Sequence, residues 1–314
     1  MIFDRDYSKH FIASIVSLMI LSVVVAFNAA AADLQAAPIS AAKAAPDPAL
    51  WKLTDEDSEI YLFGTIHILN PNLNWKSAKV EAAFDASETV IFEAPADTSN
   101  PEATQAMVAK YGLNPSGTTL SSLLTFASNQ RLAAVLEQLG LKGAAANFEP
   151  LRPWLAGASL SVLQIQSVGG DPNAGVERIL SAQAARDGKA VGYFETDEQQ
   201  IQILSGLSPE AEVYFLEEGL RQIQEEPDQI LELVEAWRSG DQVAMNDMLV
   251  AGFAGQDEVM ESFLTRRNFN WASQIEQLMQ GSGTVFVAVG AAHLVGKQSV
   301  QVYLSEKGFN TVRQ

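Results

Sequence analysis

The chain contains no cysteine. Disulfides and thiolate chemistry are both excluded, so stability rests on core packing, with or without a metal. Basic residues are scarce: 20 Lys and Arg stand against 38 Asp and Glu, for a formal net charge of −18. A surface so acidic repels nucleic acid and anionic lipid headgroups, and it suits solubility, cationic ligands and metal ions. Histidine is rarer still, with three in the chain, and His10 sits in the N-terminal apolar region apart from His67 and His293. Beyond that region no apolar run approaches the roughly 20 residues a spanning helix needs. A Gly-x-Ser-x-Gly nucleophile elbow, a His-Glu-x-x-His zinc helix and a glycine-rich phosphate loop are also missing.

What is present begins with Arg5 and Lys9, an apolar run from Phe11 to Phe27, and small residues from Asn28 to Ala32. That is the order of a secretory signal peptide, predicted to occupy residues 1–32 with cleavage near Ala32. An uncleaved anchor is the alternative, since Asp4 and Asp6 weaken the positive n-region. Either way the folded part is expected outside the cytoplasm, in the periplasm or extracellular space. Residues 33–50 are rich in Ala and Pro and read as a tether. The fold is expected from Trp51 to Gln314, long enough for a sizeable core.

Trp51–Thr54 and Ile60–Thr65 flank Asp55-Glu56-Asp57-Ser58 and predict a hairpin. A helix over 75–85 follows, then a buried strand from Thr89 that ends in Glu93. Residues 101–183 turn helical, with Leu132, Val135, Leu136 and Leu139 on one face. Ala190–Glu195 reads as a second buried strand ending in an acid, and Thr196 with Gln199 as a helix start. A long acidic helical tract covers 209–281. Thr284–Val289 is the most strand-like run, followed by a helix over 297–307 and a last strand near 310–313. The expected fold class is α/β: a mixed or parallel central sheet built from the N- and C-terminal segments, with a large helical middle layer (about 100–185 and 205–281).

His67 and His293 share one local pattern of apolar strand, glycine, two small or β-branched residues, then histidine. Either imidazole alone could merely cap a core strand. As a matched pair they are predicted to project from the carboxyl edge of one sheet, where open α/β sheets bind ligands. Two imidazoles make a weak metal site, so carboxylates should complete it. Glu93 and Glu195 are the candidates, because an acid ending a buried strand is costly without a partner. Both could instead be solvated strand ends.

FGTIHILNP, VAVGAAHLVGKQSV, a Glu-ended strand between them and a GVE…GYFETDEQ segment resemble the TraB/GumN family, whose eukaryotic relatives include the Tiki proteases. The resemblance covers the chain from Trp51 onward. It implies a metal-dependent hydrolase, with peptide-bond cleavage the activity of the Tiki branch. The divalent metal would be manganese or cobalt, with zinc also compatible with such donors. His67, His293 and Glu93 take the family's functional positions, and Glu195, Thr196 and Gln199 its Glu-Thr-x-x-Gln stretch. Arg267 and Asn268 match an Arg-Asn pair. From this follow His67, His293 and Glu195 as metal ligands, Glu93 and Arg267 as catalytic, and Asn268 and Gln199 as substrate-binding. Where the family has Gly-Val-Asp this chain has Gly175-Val176-Glu177, so Glu177 and Arg178 are read as a solvated helix face. Trp154, Trp237 and Trp271 are read as core.

The competing reading is a non-catalytic module that binds or sequesters peptide or haem on the same fold. A role in exopolysaccharide production finds no support in the residues, which offer no sugar site with a spaced acid pair. The expected partner is a peptide or protein substrate, not nucleic acid, and any membrane contact would come through an uncleaved leader.

Overall fold

The computed structural model describes residues 45–95, 101–250 and 255–314. The predicted leader, His10 and most of the Ala/Pro-rich stretch lie outside the described residues. Six strands form one mixed sheet: β1 (Leu50–Thr54), β2 (Ser58–Thr65), β3 (Thr89–Phe92), β4 (Ala190–Tyr193), β5 (Gly283–Gly290) and β6 (Val312–Arg313). Their order across the sheet is β4-β3-β5-β2-β1-β6. The four strands β4, β3, β5 and β2 run parallel, while β1 and β6 are antiparallel to their neighbours.

The hairpin forms where the sequence predicts it. Asp55 carries the turn, its Oδ1 accepting from the backbone N–H of Ser58 at 2.8 Å and of Asp57 at 3.2 Å. Strand periodicity then sorts the side chains onto two faces. Phe63, Val90, Phe92, Phe286 and Ala288 face the large helical body, while Ile60, Leu62, Ile91, Val287 and Val289 face a smaller layer. That smaller layer contains the Arg266–Leu278 and Val300–Glu306 helices. The helical body centres on Pro153–Ser167, which is buried almost throughout, as expected of a helix apolar on all sides. Trp154 and Trp237 belong to this core.

Two boundaries and the burial of one strand differ from the sequence reading. The chain is already buried at Pro48, and Asp47 is tied to Lys79 by an ion pair of 2.5 Å. The first helix is Ala78–Ala86 and starts after Trp75, because Ser77 caps it by accepting from the N–H of Val80. Trp75 instead stacks on Phe63, ring centroids 6.0 Å apart. Finally, β4 is not a buried strand: Ala190, Val191 and Tyr193 are exposed because β4 lies at the sheet edge with β3 as its one strand neighbour. No helix among the described residues is long and apolar enough to cross a membrane.

Candidate functional site

The carboxyl ends of β2, β3, β4 and β5 lie side by side, since Thr65 pairs with Gly290, and Phe92 with both Tyr193 and Ala288. His67, Glu93, Glu195 and His293 all follow those ends within a few residues. The two Gly-x-x-His motifs are therefore neighbours. A Cβ on Gly64 would stand 3.0 Å from the Cα of Ala291, so glycine is needed there for close approach.

Arg267 is the hub. Its Nε donates to Glu195 Oε1 at 2.8 Å, and its Nη2 to Glu195 Oε2 at 2.8 Å and Glu93 Oε2 at 2.7 Å. Its Nη1 lies 3.0 Å from His293 Nε2. It reaches this position from the first turn of the Arg266–Leu278 helix, which follows a π-helical turn at Glu261–Thr265, a distortion common at functional sites. Burial alone would lower the pKa of Arg267, but the Glu195 and Glu93 carboxylates outweigh it and hold the guanidinium charged. Both acids accept further hydrogen bonds. Glu93 Oε1 accepts from the Gly290 N–H at 2.6 Å, and Glu195 Oε1 from Trp271 Nε1 at 3.1 Å. Gln200 Nε2 donates to Glu93 Oε2 at 3.0 Å.

Both histidines are pinned through Nδ1. His293, 1 % exposed, has its Nδ1 at Asn268 Oδ1, while Asn268 Nδ2 donates to the Gln298 carbonyl at 2.7 Å. Arginine can only donate, so His293 Nε2 must be the acceptor and Nδ1 must carry the proton. Burial first, then the charges of Arg267 and His67, drives the His293 pKa well below its usual range, so the ring is neutral. The Trp271 ring covers it at 4.3 Å between centroids and stacks under Arg267 at 4.6 Å.

His67 donates from Nδ1 to Glu177 Oε1 at 2.8 Å, and Thr65 Oγ1 donates to the same oxygen. Its Nε2 is buried without a hydrogen-bond partner, as is Glu177 Oε2. Burial pushes the His67 pKa down, but the charge and hydrogen bond of Glu177, aided by Glu93, carry it above its usual value. Glu177 is thus no solvated residue. The Val176–Asp187 helix begins against His67 itself, with the Val176 N–H bonded to the Ile66 carbonyl at 3.0 Å and the Asp171 N–H to that of Leu69 at 2.8 Å. Gly175 makes this approach possible, because a Cβ there would lie 2.0 Å from the His67 carbonyl oxygen. Gly175→Ala is expected to destabilise the fold by about 1–3 kcal/mol or more and to pull Glu177 off His67. Urea denaturation gives the first effect, and an NMR shift of the His67 ring the second.

Of the sequence candidates, the structure brings Glu93, Glu195, Arg267, Asn268 and His293 into one bonded cluster, with His67 electrostatically coupled to it. Gln199 stands differently from its neighbour: its Oε1 accepts from the Thr196 N–H in a capping box, and Gln200 is the amide that reaches the carboxylates. Asn268 holds His293. Three members were not anticipated as site residues, Glu177, Gln200 and Trp271. Among the described residues, no group of three or more His, Asp or Glu side chains is arranged to hold a metal ion; Arg267 stands among Glu93, Glu195 and His293 and bonds to all three. The buried, unpartnered Nε2 of His67 does fit a metal ligand, as does the pinning of both rings through Nδ1.

No curated protein and no solved structure matches the chain. The family model described as TraB/PrgY/gumN matches residues 49–313, which include every strand and every residue of the cluster described above. With the two Gly-x-x-His motifs side by side on a sheet assembled from the two ends of that region, the chain belongs to the TraB/PrgY/gumN family.

Proposed function

We propose that the chain is a metal-dependent hydrolase acting on peptide bonds, with its site at the carboxyl edge of β2, β3, β4 and β5. The observation that carries this reading is the matched pinning of the two imidazoles. Each gives Nδ1 to a side-chain oxygen, and a hydrogen bond at that nitrogen fixes the tautomer and orientation of a histidine whose other nitrogen binds metal. His67 and His293 through Nε2, together with Glu195, would hold a divalent manganese, cobalt or zinc ion. When bound, such an ion supplies an acidified water and polarises the scissile carbonyl. Glu177 and Asn268 orient the two rings. Glu93, at 3 % exposure and anchored by the Gly290 N–H, would be the general base, accepting a proton at Oε1. Trp271 keeps water off one side of His293, and Arg267 holds both carboxylates in register.

Arg267 already occupies Glu195 and His293, so metal affinity at these donors would be modest and purification must avoid chelators. Metal analysis of the mature protein, followed by digestion of a peptide library with and without chelator, tests the reading. Chelator-sensitive cleavage is expected. Metal binding without cleavage would make the chain a binding module instead. The unpartnered Nε2 of His67 also favours a second reading, in which the His67–Glu177 pair acts as a general base. Cleavage untouched by chelator would select it.

Under either reading His67 must be neutral to work, and protonation below its raised pKa removes it. Activity is therefore expected to rise with pH along a limb lying above the ordinary histidine value of 6.5. Glu177→Gln takes away the main influence that raises that pKa and leaves the burial that lowers it, so the limb should move to lower pH. A kcat/KM–pH profile of both proteins checks this, and an unmoved limb would remove His67 from the mechanism. Export follows from the leader pattern, and intact-mass analysis of periplasmic or secreted protein should show residues 1 to about 32 removed.

A further inference from the structure

Beside the carboxylate–arginine cluster lies a pocket of about 660 Å³, within the usual range for ligand sites of ~300–1,000 Å³. Glu195, Arg267 and Trp271 form its floor. Its walls are the Asp197–Ser205 helix, with Gln199 and Gln202, and the outer face of the Arg266–Leu278 helix, with Arg266, Asn270 and Gln274. Most of this lining is already committed. Glu195 is saturated by Arg267, Trp271 and Gln200, Gln202 Nε2 donates to Tyr111 Oη at 3.1 Å, and Gln274 Nε2 to the Phe194 carbonyl at 3.5 Å. Arg266 differs. Its side chain is 66 % exposed, and its partner is the likewise exposed Glu261 at 3.6 Å, a loose surface ion pair worth little in water that an incoming carboxylate can displace. Asn270 follows one helical turn later on the same face.

We propose that this pocket recognises an acidic side chain of the substrate next to the reacting bond, with Arg266 gripping the carboxylate and Asn270 the adjoining amide. Guanidinium and carboxylate match as a two-pronged pair, which a neutral side chain cannot reproduce. The net charge of −18 repels anions elsewhere, so Arg266, the exposed arginine at the pocket, confines acidic groups to this place. The assignment rests on the proposed hydrolase site for its meaning, but binding can be measured without turnover.

The test is calorimetric titration of the mature protein with N-acetylated, amidated Ala-Glu-Ala and Ala-Gln-Ala tripeptides, repeated with Arg266→Gln and Arg266→Lys. The Glu peptide should bind about five- to tenfold more tightly. The preference should fall below about twofold in Arg266→Gln and at 0.5 M salt, and survive in part in Arg266→Lys. Circular dichroism of the variants confirms folding, which an exposed arginine should not affect. Equal affinity for the two peptides, a preference kept in Arg266→Gln, tighter binding of a neutral oligosaccharide, or no binding at all would each overturn the assignment. Failure of hydrolysis with the preference intact would count against the proposed activity alone.

Discussion

Arg267→Met is expected to lower the stability of the folded domain by about 3–5 kcal/mol, read as a fall in the urea midpoint at unchanged slope. The substitution keeps a long apolar stem and removes the charge. The buried Glu93 and the half-buried Glu195 are then left as two carboxylates without their shared cation, and His293 Nε2 loses its donor. An unpaired buried charge costs far more than the pair was worth when intact, which is why the loss should exceed that of an ordinary surface salt bridge. Arg267→Lys should not rescue it, because an ammonium group cannot serve Nε and both Nη positions together. The same variant exposes donors that Arg267 now occupies, so manganese or zinc should recover part of the deficit. At a hundred times its Kd an ion would restore about 2.7 kcal/mol. A midpoint equal to that of the natural chain would show that the acids do not depend on Arg267. Full destabilisation without recovery in metal would count against a metal site at these donors.

Glu93→Gln is expected to reduce turnover by roughly 10²-fold to 10⁴-fold while sparing much of the metal binding. The amide keeps the shape and one acceptor oxygen for the Gly290 N–H, but it cannot take a proton from the attacking water. Glu195→Gln should do the reverse and weaken metal binding, as should His67→Ala and His293→Ala with greater severity. The two acids are not equivalent in their surroundings. Glu93 is enclosed and tied to the backbone of the second motif, whereas Glu195 forms part of the pocket floor. Metal content and turnover measured in parallel distinguish the roles. Loss of metal from Glu93→Gln with retention in Glu195→Gln would exchange them, and unchanged hydrolysis in both would end the catalytic reading.

The strands and the acids at their ends were legible because each leaves a local signature: period-two burial, a glycine at the turn, an acid after an apolar run. The hairpin turn at Asp55 and the helix start at Thr196 were legible for the same reason, being settled within four residues. Glu177 was not. Locally it is an acid beside an arginine at a helix start, and its burial comes from a contact with His67, distant in sequence, which Gly175 permits by lacking a Cβ. The exposure of β4 was hidden likewise, since AVGYF has strand composition whether it is flanked on one side or two. Arg267 stood out only through the Arg-Asn resemblance, because its partner Glu93 is 174 positions away. Trp271 was rightly read as core by its apolar neighbours. That reading could not show its indole N–H on Glu195 or its ring against His293.

The position of β5 bears on how the molecule can assemble. In the sheet order β4-β3-β5-β2-β1-β6, the sheet is two separate pairs, β4 with β3 and β2 with β1, until residues 283–290 arrive between them. The last long strand to leave the ribosome is thus the one that joins all the others, in parallel and in register from Ser58↔Gly283 to Thr65↔Gly290. Closing a loop of that size before any sheet contact rewards it makes folding slow and its rate-limiting step late. A nascent or truncated chain stopping short of Gly283 carries both half-sheets with open edges, apolar and unpaired, and is bound to aggregate or to need a holding partner. The same order means that the candidate site cannot form early, since His293 and the Gly290 N–H take their places with the strand that completes the sheet.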